Sequence, residues 1–103
     1  LIMNSSPARA LKGNVSHQTA ILYLAQHGYI VFDNVYKNGP VDLIAMKDHE
    51  IILFDVKSVQ KYSEDVKINK LKGKMIYRPK SDIQKQLGVK FIYVDEKGVC
   101  KVI

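Results

Sequence analysis

Two aspartates and a lysine are the residues of this chain whose types and spacing could do chemistry. Asp42 follows the Gly-Pro-Val of residues 39–41 at the expected start of one strand, and Asp55 and Lys57 stand two residues apart on the next. Side chains at positions i and i+2 of a strand project from the same face, so we expect Asp55 and Lys57 side by side, with Asp42 across from them. The apolar run 51–54 predicts a strand covered on both faces. Charged side chains are uncommon at the end of such a strand, so their presence there calls for an explanation.

This cluster suits metal-assisted hydrolysis of a phosphodiester bond. Two carboxylates and a backbone carbonyl such as that of Val56 can hold Mg²⁺, while water and phosphate oxygens complete its octahedron, and we expect Mn²⁺ to substitute. Lys57, beside the metal and a phosphate, could orient the attacking water, lower its pKa or neutralise the transition state. The same residues fit a structural ion pair of Lys57 with Asp55 or with Asp42 equally well.

The rest of the chain predicts the elements that must position this cluster. Helical periodicity that ends at Gly28 predicts a first helix, preceded by a separate short turn near Leu11, and a Ser-Asp pair followed by Gly88 predicts a second helix. Runs of β-branched and aromatic residues between turn residues predict the strands. The predicted helices cover 14–28 and 81–87, and the predicted strands cover 29–35, 41–46, 50–57, 89–94 and 98–103. The order αβββαββ predicts one α/β domain, residues 1–103, with a mixed central sheet.

The positive charge of the chain is concentrated in one segment. The net charge is +6, and residues 57–80 hold eight basic residues against Glu64 and Asp65, an excess equal to the whole net charge. The segment has no sustained period, which predicts a long loop with at most a short helical turn. Interleaved with tyrosines, it suits a polyanion, and the predicted nucleic-acid contacts are Lys61, Lys67, Lys70, Lys72, Lys74 and Arg78. The alternative is a solvated loop that only keeps the protein in solution.

The motifs around the cluster resemble those of the PD-(D/E)XK nuclease superfamily. Residues 39–45, GPVDLIA, resemble its first-aspartate motif, residues 54–58, FDVKS, resemble its D-X-K motif, and Lys12-Gly13 with the following helix and strand resembles the opening of small members. Those members include archaeal Holliday junction resolvases and intron-associated homing endonucleases. The resemblance implies a restriction-endonuclease-like αβββαβ core with an extra C-terminal strand. It also implies metal binding by Asp42 and Asp55, catalysis by Lys57, and a homodimer or higher assembly.

The first helix departs from that family pattern. Relatives usually carry a glutamate shortly after the Lys-Gly pair, and the corresponding position here holds His17, with Gln18 beside it. His17 precedes Ile21 and Leu24 by four and seven residues, which places it on the helix face turned to the sheet. There it could reach a metal-bound water or a phosphate in a catalytic role. The alternative is a histidine near the helix start that is satisfied by a backbone group.

Other polar residues are weaker candidates. Gln84 and Gln86, on the second predicted helix, could contact DNA or the cluster, but neither is predicted to be catalytic. His27 and His49 lie at a helix end and a hairpin tip, and we expect them to face solvent because their spacing is not that of a zinc site. A dimer contact is expected on the C-terminal hairpin, around Phe91 and Tyr93.

The composition, with 47% hydrophobic and 25% charged residues, is typical of a globular domain. The single cysteine, Cys100, excludes an internal disulfide and favours a reducing, cytoplasmic location, and no apolar run approaches the ~20 residues of a membrane span. We therefore expect a small Mg²⁺-dependent DNA endonuclease, of homing or junction-resolving type, that acts on duplex or branched DNA. The alternative is a nucleic-acid-binding module that keeps the nuclease fold without hydrolysing anything.

Overall fold

The computed structural model describes residues 7–62 and 72–103, so the predicted contacts Lys67 and Lys70 lie outside the described residues. The helices are α1 (Pro7–Gln26) and α2 (Asp82–Leu87). The strands are β1 (Ile30–Asp33), β2 (Leu43–Lys47), β3 (Glu50–Ser58), β4 (Gln60–Lys61), β5 (Met75–Ile76), β6 (Lys90–Val94) and β7 (Cys100–Val102).

Helix α1 is longer than the sequence predicts. The separate turn expected near Leu11 is part of one continuous helix, because a single interior glycine such as Gly13 costs a helix only about 1 kcal/mol. Ser16, Ala20 and Leu24 recur every four residues and are buried against the sheet. Neither helix of the described ranges is long and apolar enough to cross a membrane.

Five strands form one mixed sheet in the order β1-β2-β3-β6-β7. Neighbouring strands are antiparallel except β3 and β6, which run parallel. A parallel connection needs a long crossover, and the chain between Ser58 and Lys90, which includes α2, supplies it. The predicted fold class, a mixed sheet with one helix before the first strand and another before the last two, is confirmed.

The two faces of the sheet are covered unequally. Helix α1 packs over one face, on a core that includes Leu43, Phe54 and Ile92. On the opposite face, a second cluster forms around Phe91 and Tyr93 and extends along β3 only as far as Leu53. The start of β3 lies beyond this cluster, and Ile51 is 64% exposed. The prediction that the run 51–54 is covered on both faces is therefore wrong at its beginning.

The basic segment after β3 is not wholly a loop. Strands β4 and β5 pair antiparallel, with Gln60 opposite Ile76 and Lys61 opposite Met75, so the two ends of the segment form a small ribbon. Two hydrogen bonds attach the ribbon to β6: Val59 N donates to Val94 O at 2.8 Å, and Arg78 N donates to the Tyr93 hydroxyl at 2.7 Å. The sequence could not predict these strands, because two residues are too few to show a period.

Candidate active site

The end of β3 and the start of β2 meet at one edge of the sheet and bring Asp42, Asp55 and Lys57 together. Asp42 directly precedes β2, and its N–H donates to Phe54 O at 2.8 Å. The turn before it depends on Gly39, whose φ of +94° is a left-handed conformation that favours glycine. The Asp42 side chain hydrogen-bonds Asp55, and Lys57 Nζ lies 3.1 Å from Asp55 Oδ2.

Of the two carboxyl groups, Asp42 keeps its proton to the higher pH. Burial, the hydrogen bond to Asp55 and the charge of Asp55 together raise the pKa of Asp42 from 3.8 to about 6. The N–H of Val56, which donates to Asp42 Oδ2 at 2.8 Å, and the nearby His17 act in the opposite direction but are outweighed. Without a cation, the pair of carboxyl groups therefore shares one proton up to about pH 6.

Asp55 is the carboxylate that stays ionised. Its burial alone would raise its pKa, but the side-chain contacts from Asp42, Lys57 and Gln84 outweigh burial and lower the pKa below its ordinary value. Gln84 Nε2 donates to Asp55 Oδ2 at 2.9 Å, and Lys57 Nζ approaches the same oxygen. These donors fix the orientation of the Asp55 carboxylate.

Gln84 is a site residue to which the sequence assigned no catalytic role. It caps α2 in a reciprocal arrangement, in which Gln84 N donates to Ser81 Oγ and Ser81 N donates to Gln84 Oε1. The Nε2 group of the same buried side chain donates to Asp55 and to Pro40 O, the latter at 3.1 Å. The Ser-Asp-x-Gln spacing could have predicted the capping box, but not what the far side of the amide would contact.

Two ammonium groups flank the ring of Phe91 beside the cluster. Lys57 Nζ lies 5.3 Å and Lys80 Nζ 5.5 Å from the ring centroid, both within cation–π range. The contact of Lys57 with Asp55 is one of the ion pairs that the sequence left open as a structural alternative. The same contact also holds the ammonium group of Lys57 at the edge where the carboxylates meet.

His17 pairs with an acidic residue that the sequence analysis missed. Its Nε2 lies 2.8 Å from Oδ1 of Asp33, the last residue of β1. His17 and Asp42 also border the same hollow, of about 450 Å³. Asp33 ends an apolar strand, just as Asp55 follows the apolar run of β3. This repeated pattern in the sequence could have identified Asp33 as a site residue.

His27 and His49 are exposed, as predicted.

The donor set fits a hard cation such as Mg²⁺. Within a strand, the N–H and C=O of one residue point to the same side. Because the N–H of Val56 donates to Asp42, the carbonyl group of Val56 also faces the edge where the carboxylates lie. In residues 7–62 and 72–103, no group of three or more His, Cys, Asp or Glu side chains is arranged to hold a metal ion. Two carboxylates are sufficient for Mg²⁺, which keeps several of its waters in most protein sites.

The basic residues of the described part of the segment lie at the surface. Lys61 is on β4, Lys74 directly precedes β5, and the side chains of Lys72 and Arg78 are also exposed. The ribbon of β4 and β5 therefore presents positive charge to solvent. That exposure suits contacts with a phosphate backbone, and it also suits a purely solvated surface.

The order of the elements and the mixed sheet define a restriction-endonuclease-like fold. Among solved structures, the chain is similar to a bacterial homing endonuclease, I-Ssp6803I, with a TM-score of 0.65. The match covers 91% of this chain and 67% of that chain at 16% sequence identity, which shows a shared fold. No family model and no curated protein matches the sequence.

Proposed function

We propose that this chain is a Mg²⁺-dependent DNA endonuclease of the PD-(D/E)XK type, of homing or junction-resolving kind. The observation that carries the proposal is the meeting of Asp42, Asp55 and Lys57 at one edge of the sheet, within a fold shared with a homing endonuclease. A purely structural ion pair would require only Lys57 and Asp55. A second carboxyl group beside the first costs free energy to ionise, so the presence of Asp42 favours a functional site over the structural alternative.

In this proposal, Asp42, Asp55 and the carbonyl of Val56 would hold Mg²⁺. The bound ion supplies stabilisation of the negative charge that develops on the phosphate. Above about pH 6 Asp42 has lost its proton, so both carboxylates are available as ligands. Lys57 orients the attacking water and neutralises part of the charge in the transition state. Gln84 holds the Asp55 carboxylate in place, so that little rearrangement is needed during the reaction.

Cleavage assays with and without a divalent cation test this function. We expect the protein to cut plasmid DNA in Mg²⁺ or Mn²⁺ and to leave it intact in EDTA. A four-way junction and a linear duplex with the same arm sequences then separate the two kinds of enzyme, since preference for the junction indicates a resolvase. If no DNA is cut with either cation, the endonuclease proposal is wrong.

The second candidate function is a nucleic-acid-binding module that does not hydrolyse DNA. The observation that favours it is His17, which occupies the position where relatives usually carry a third acidic ligand. Tight, salt-sensitive binding of DNA without any cation-dependent cleavage would support this candidate over the first.

Replacing His17 by alanine should lower the cleavage rate by about 100-fold, the lower range for loss of a general acid or base. Its contact with Asp33 places the imidazole beside the hollow that Asp42 also borders. Single-turnover cleavage rates provide the check. His27→Ala, on an exposed histidine just after the same helix, is the matched control. A His17→Ala protein with a normal rate but a lower melting temperature would make the residue structural.

Replacing the lysines of the basic segment should weaken binding to all DNA sequences alike. Each phosphate contact that is lost should flatten the plot of log affinity against log salt by about 0.9. A variant with Lys61, Lys72 and Lys74 changed to glutamine tests the lysines of the segment that the structure describes. In a second variant, Lys67 and Lys70 are also changed to glutamine. Lys90 and Lys97, also exposed but outside the segment, provide a control pair. An unchanged slope in both test variants would make the segment a passive surface.

We further propose that the active unit is a two-fold symmetric homodimer or a higher homo-oligomer. Residues 7–62 and 72–103 of one chain supply one cluster, whereas duplex DNA has two strands to cut. Phe91 and Tyr93 are themselves only 2% exposed inside the second cluster, so a contact on the C-terminal hairpin would be made by its exposed residues, such as Val99 and Val102. Light scattering with DNA present should give at least twice the protein mass of 11.7 kDa. A protein that stays monomeric at micromolar concentration, alone and on DNA, would contradict this assembly.

A further inference from the structure

The loop between β1 and β2 presents two large apolar side chains to solvent. Val35 and Tyr36 are each 87% exposed, more than any other exposed large hydrophobic residue in the described ranges. Neither residue contributes to the two core clusters. Adjacent exposed apolar and aromatic side chains of this kind are typical of a surface that meets a partner.

The Asn34 side chain hydrogen-bonds the backbone across this loop. The Asn34 amide nitrogen donates to Asn38 O at 2.7 Å and to Val41 O at 3.0 Å, while its amide oxygen accepts from Tyr36 N at 3.0 Å and Lys37 N at 3.3 Å. Lys37 adopts a left-handed φ of 56°, which is strained for a residue with a side chain. A loop ordered in advance loses little conformational entropy when it binds, so its exposed side chains can contribute fully to affinity.

The loop also borders the candidate active site on two sides. Tyr36 and Phe32, the latter 50% exposed, line a hollow of about 380 Å³ whose wall includes Asp42. Across the loop, Asn34 and Lys37 line the hollow that Asp42 shares with His17. A nucleotide whose phosphate lies at Asp42 would therefore have its base beside two exposed aromatic rings, with a lysine near its backbone.

We propose that the hollow between Phe32 and Tyr36 receives one unstacked nucleobase next to the phosphate that is cut. The location of that phosphate rests on the proposed nuclease function. Aromatic side chains stack on any base, and apolar side chains that enter a base step unstack its neighbours, which is the role assigned here to Val35. The substrate class that follows is DNA with a base that is unpaired or easily extruded, as at a branch point or a mismatch, because such a base costs least to unstack.

Binding measurements in EDTA test this inference without requiring cleavage. The probes are a duplex with one bulged adenine and the same duplex fully paired. Tyr36→Ala should weaken binding to the bulged duplex about tenfold or more, and to the paired duplex by less than about threefold. Tyr36→Phe keeps a stacking ring and should bind both as the unchanged protein does. Ile51→Ala, an exposed apolar residue of β3, is the control and should change neither affinity.

The outcomes separate this inference from the proposed function. Equal weakening on both duplexes, or no weakening on the bulged one, overturns the base-binding hollow even if the unchanged protein cuts DNA. A Tyr36→Ala protein that loses its oligomeric state but binds bulged DNA normally overturns it too, since the loop would then contact a second copy. If no DNA is ever cut while Tyr36→Ala weakens binding to the bulged duplex alone, the proposed nuclease function is wrong, but the inference that the hollow binds an unstacked base is supported. Because Tyr36 is exposed, melting curves should match those of the unchanged protein.

Discussion

The Lys57→Ala protein is expected to cleave DNA about a thousandfold more slowly than the unchanged protein, while its affinity for DNA stays within about threefold. The Lys57 ammonium group lies 3.1 Å from Asp55 Oδ2, where it would act on the attacking water and on charge that develops only in the transition state. Removing such a group slows the chemical step and leaves ground-state binding almost unchanged. Single-turnover cleavage rates and binding isotherms in EDTA measure the two effects separately.

Two further variants make this test specific. Lys80 flanks the same Phe91 ring, so Lys80→Ala removes an equal charge nearby and should leave most of the cleavage rate. Asp55→Ala removes the partner of Lys57 and should slow cleavage at least as much as Lys57→Ala does. If Lys57→Ala loses binding and cleavage in the same proportion, the lysine serves to hold DNA and not to catalyse.

The Asp42→Asn protein is expected to be inactive and yet more stable than the unchanged protein in the absence of metal. Because the folded-state pKa of Asp42 is raised from 3.8 to about 6, the folded protein binds this proton more tightly than the unfolded chain does. The free energy of unfolding therefore falls as pH rises through this window, and the penalty is complete above it. Asparagine carries no charge, and its amide can donate to Asp55 and accept from Val56 N. Asp42→Asn should therefore raise the free energy of unfolding of the metal-free protein by ~1 kcal/mol.

Four melting curves at neutral pH decide this prediction. Mg²⁺ should raise the melting temperature of the unchanged protein, because a ligand that binds only the folded state stabilises it, and should do little for Asp42→Asn. In further metal-free melting curves at lower pH, the advantage of Asp42→Asn should shrink below the pKa of Asp42, where Asp42 of the unchanged protein is protonated and uncharged. Destabilisation by Asp42→Asn with no response of either protein to Mg²⁺ would assign Asp42 to a structural ion pair instead.

Much of this architecture could be predicted from the sequence because it depends on local patterns. The alternation of strand residues placed Asp55 and Lys57 on one face, and the turn at 39–41 brought Asp42 beside them. The helix positions of His17 relative to Ile21 and Leu24 correctly turned it to the sheet, where it meets β1.

The contacts that the sequence did not predict are long-range side-chain contacts. Gln84 and Asp55 are 29 residues apart, and their hydrogen bond depends on how α2 docks beside β3, which no local period encodes. The pairing of His17 with Asp33 depends in the same way on the packing of α1 over the edge strand. The exposure of Ile51 at the start of β3 was not predicted, because an apolar run shows that a strand is hydrophobic but not which elements pack on each of its faces.

Among the described strands, β3 and β6 form the parallel pair, and this pair should form late in folding. The antiparallel pairs on either side of it are local in sequence and can form early, whereas β3 and β6 can join only after the long crossover closes, which is the slowest kind of contact to form. Asp55 and Lys57 lie in register with Phe91 and Tyr93 across this same pairing. Asp42, Asp55 and Lys57 lie on or beside the early β2–β3 pair, whereas Gln84 and Phe91 reach them only when the sheet closes. A refolding chain should therefore fix and bury the Asp55 carboxylate in its slowest phase and not with the first appearance of β-structure.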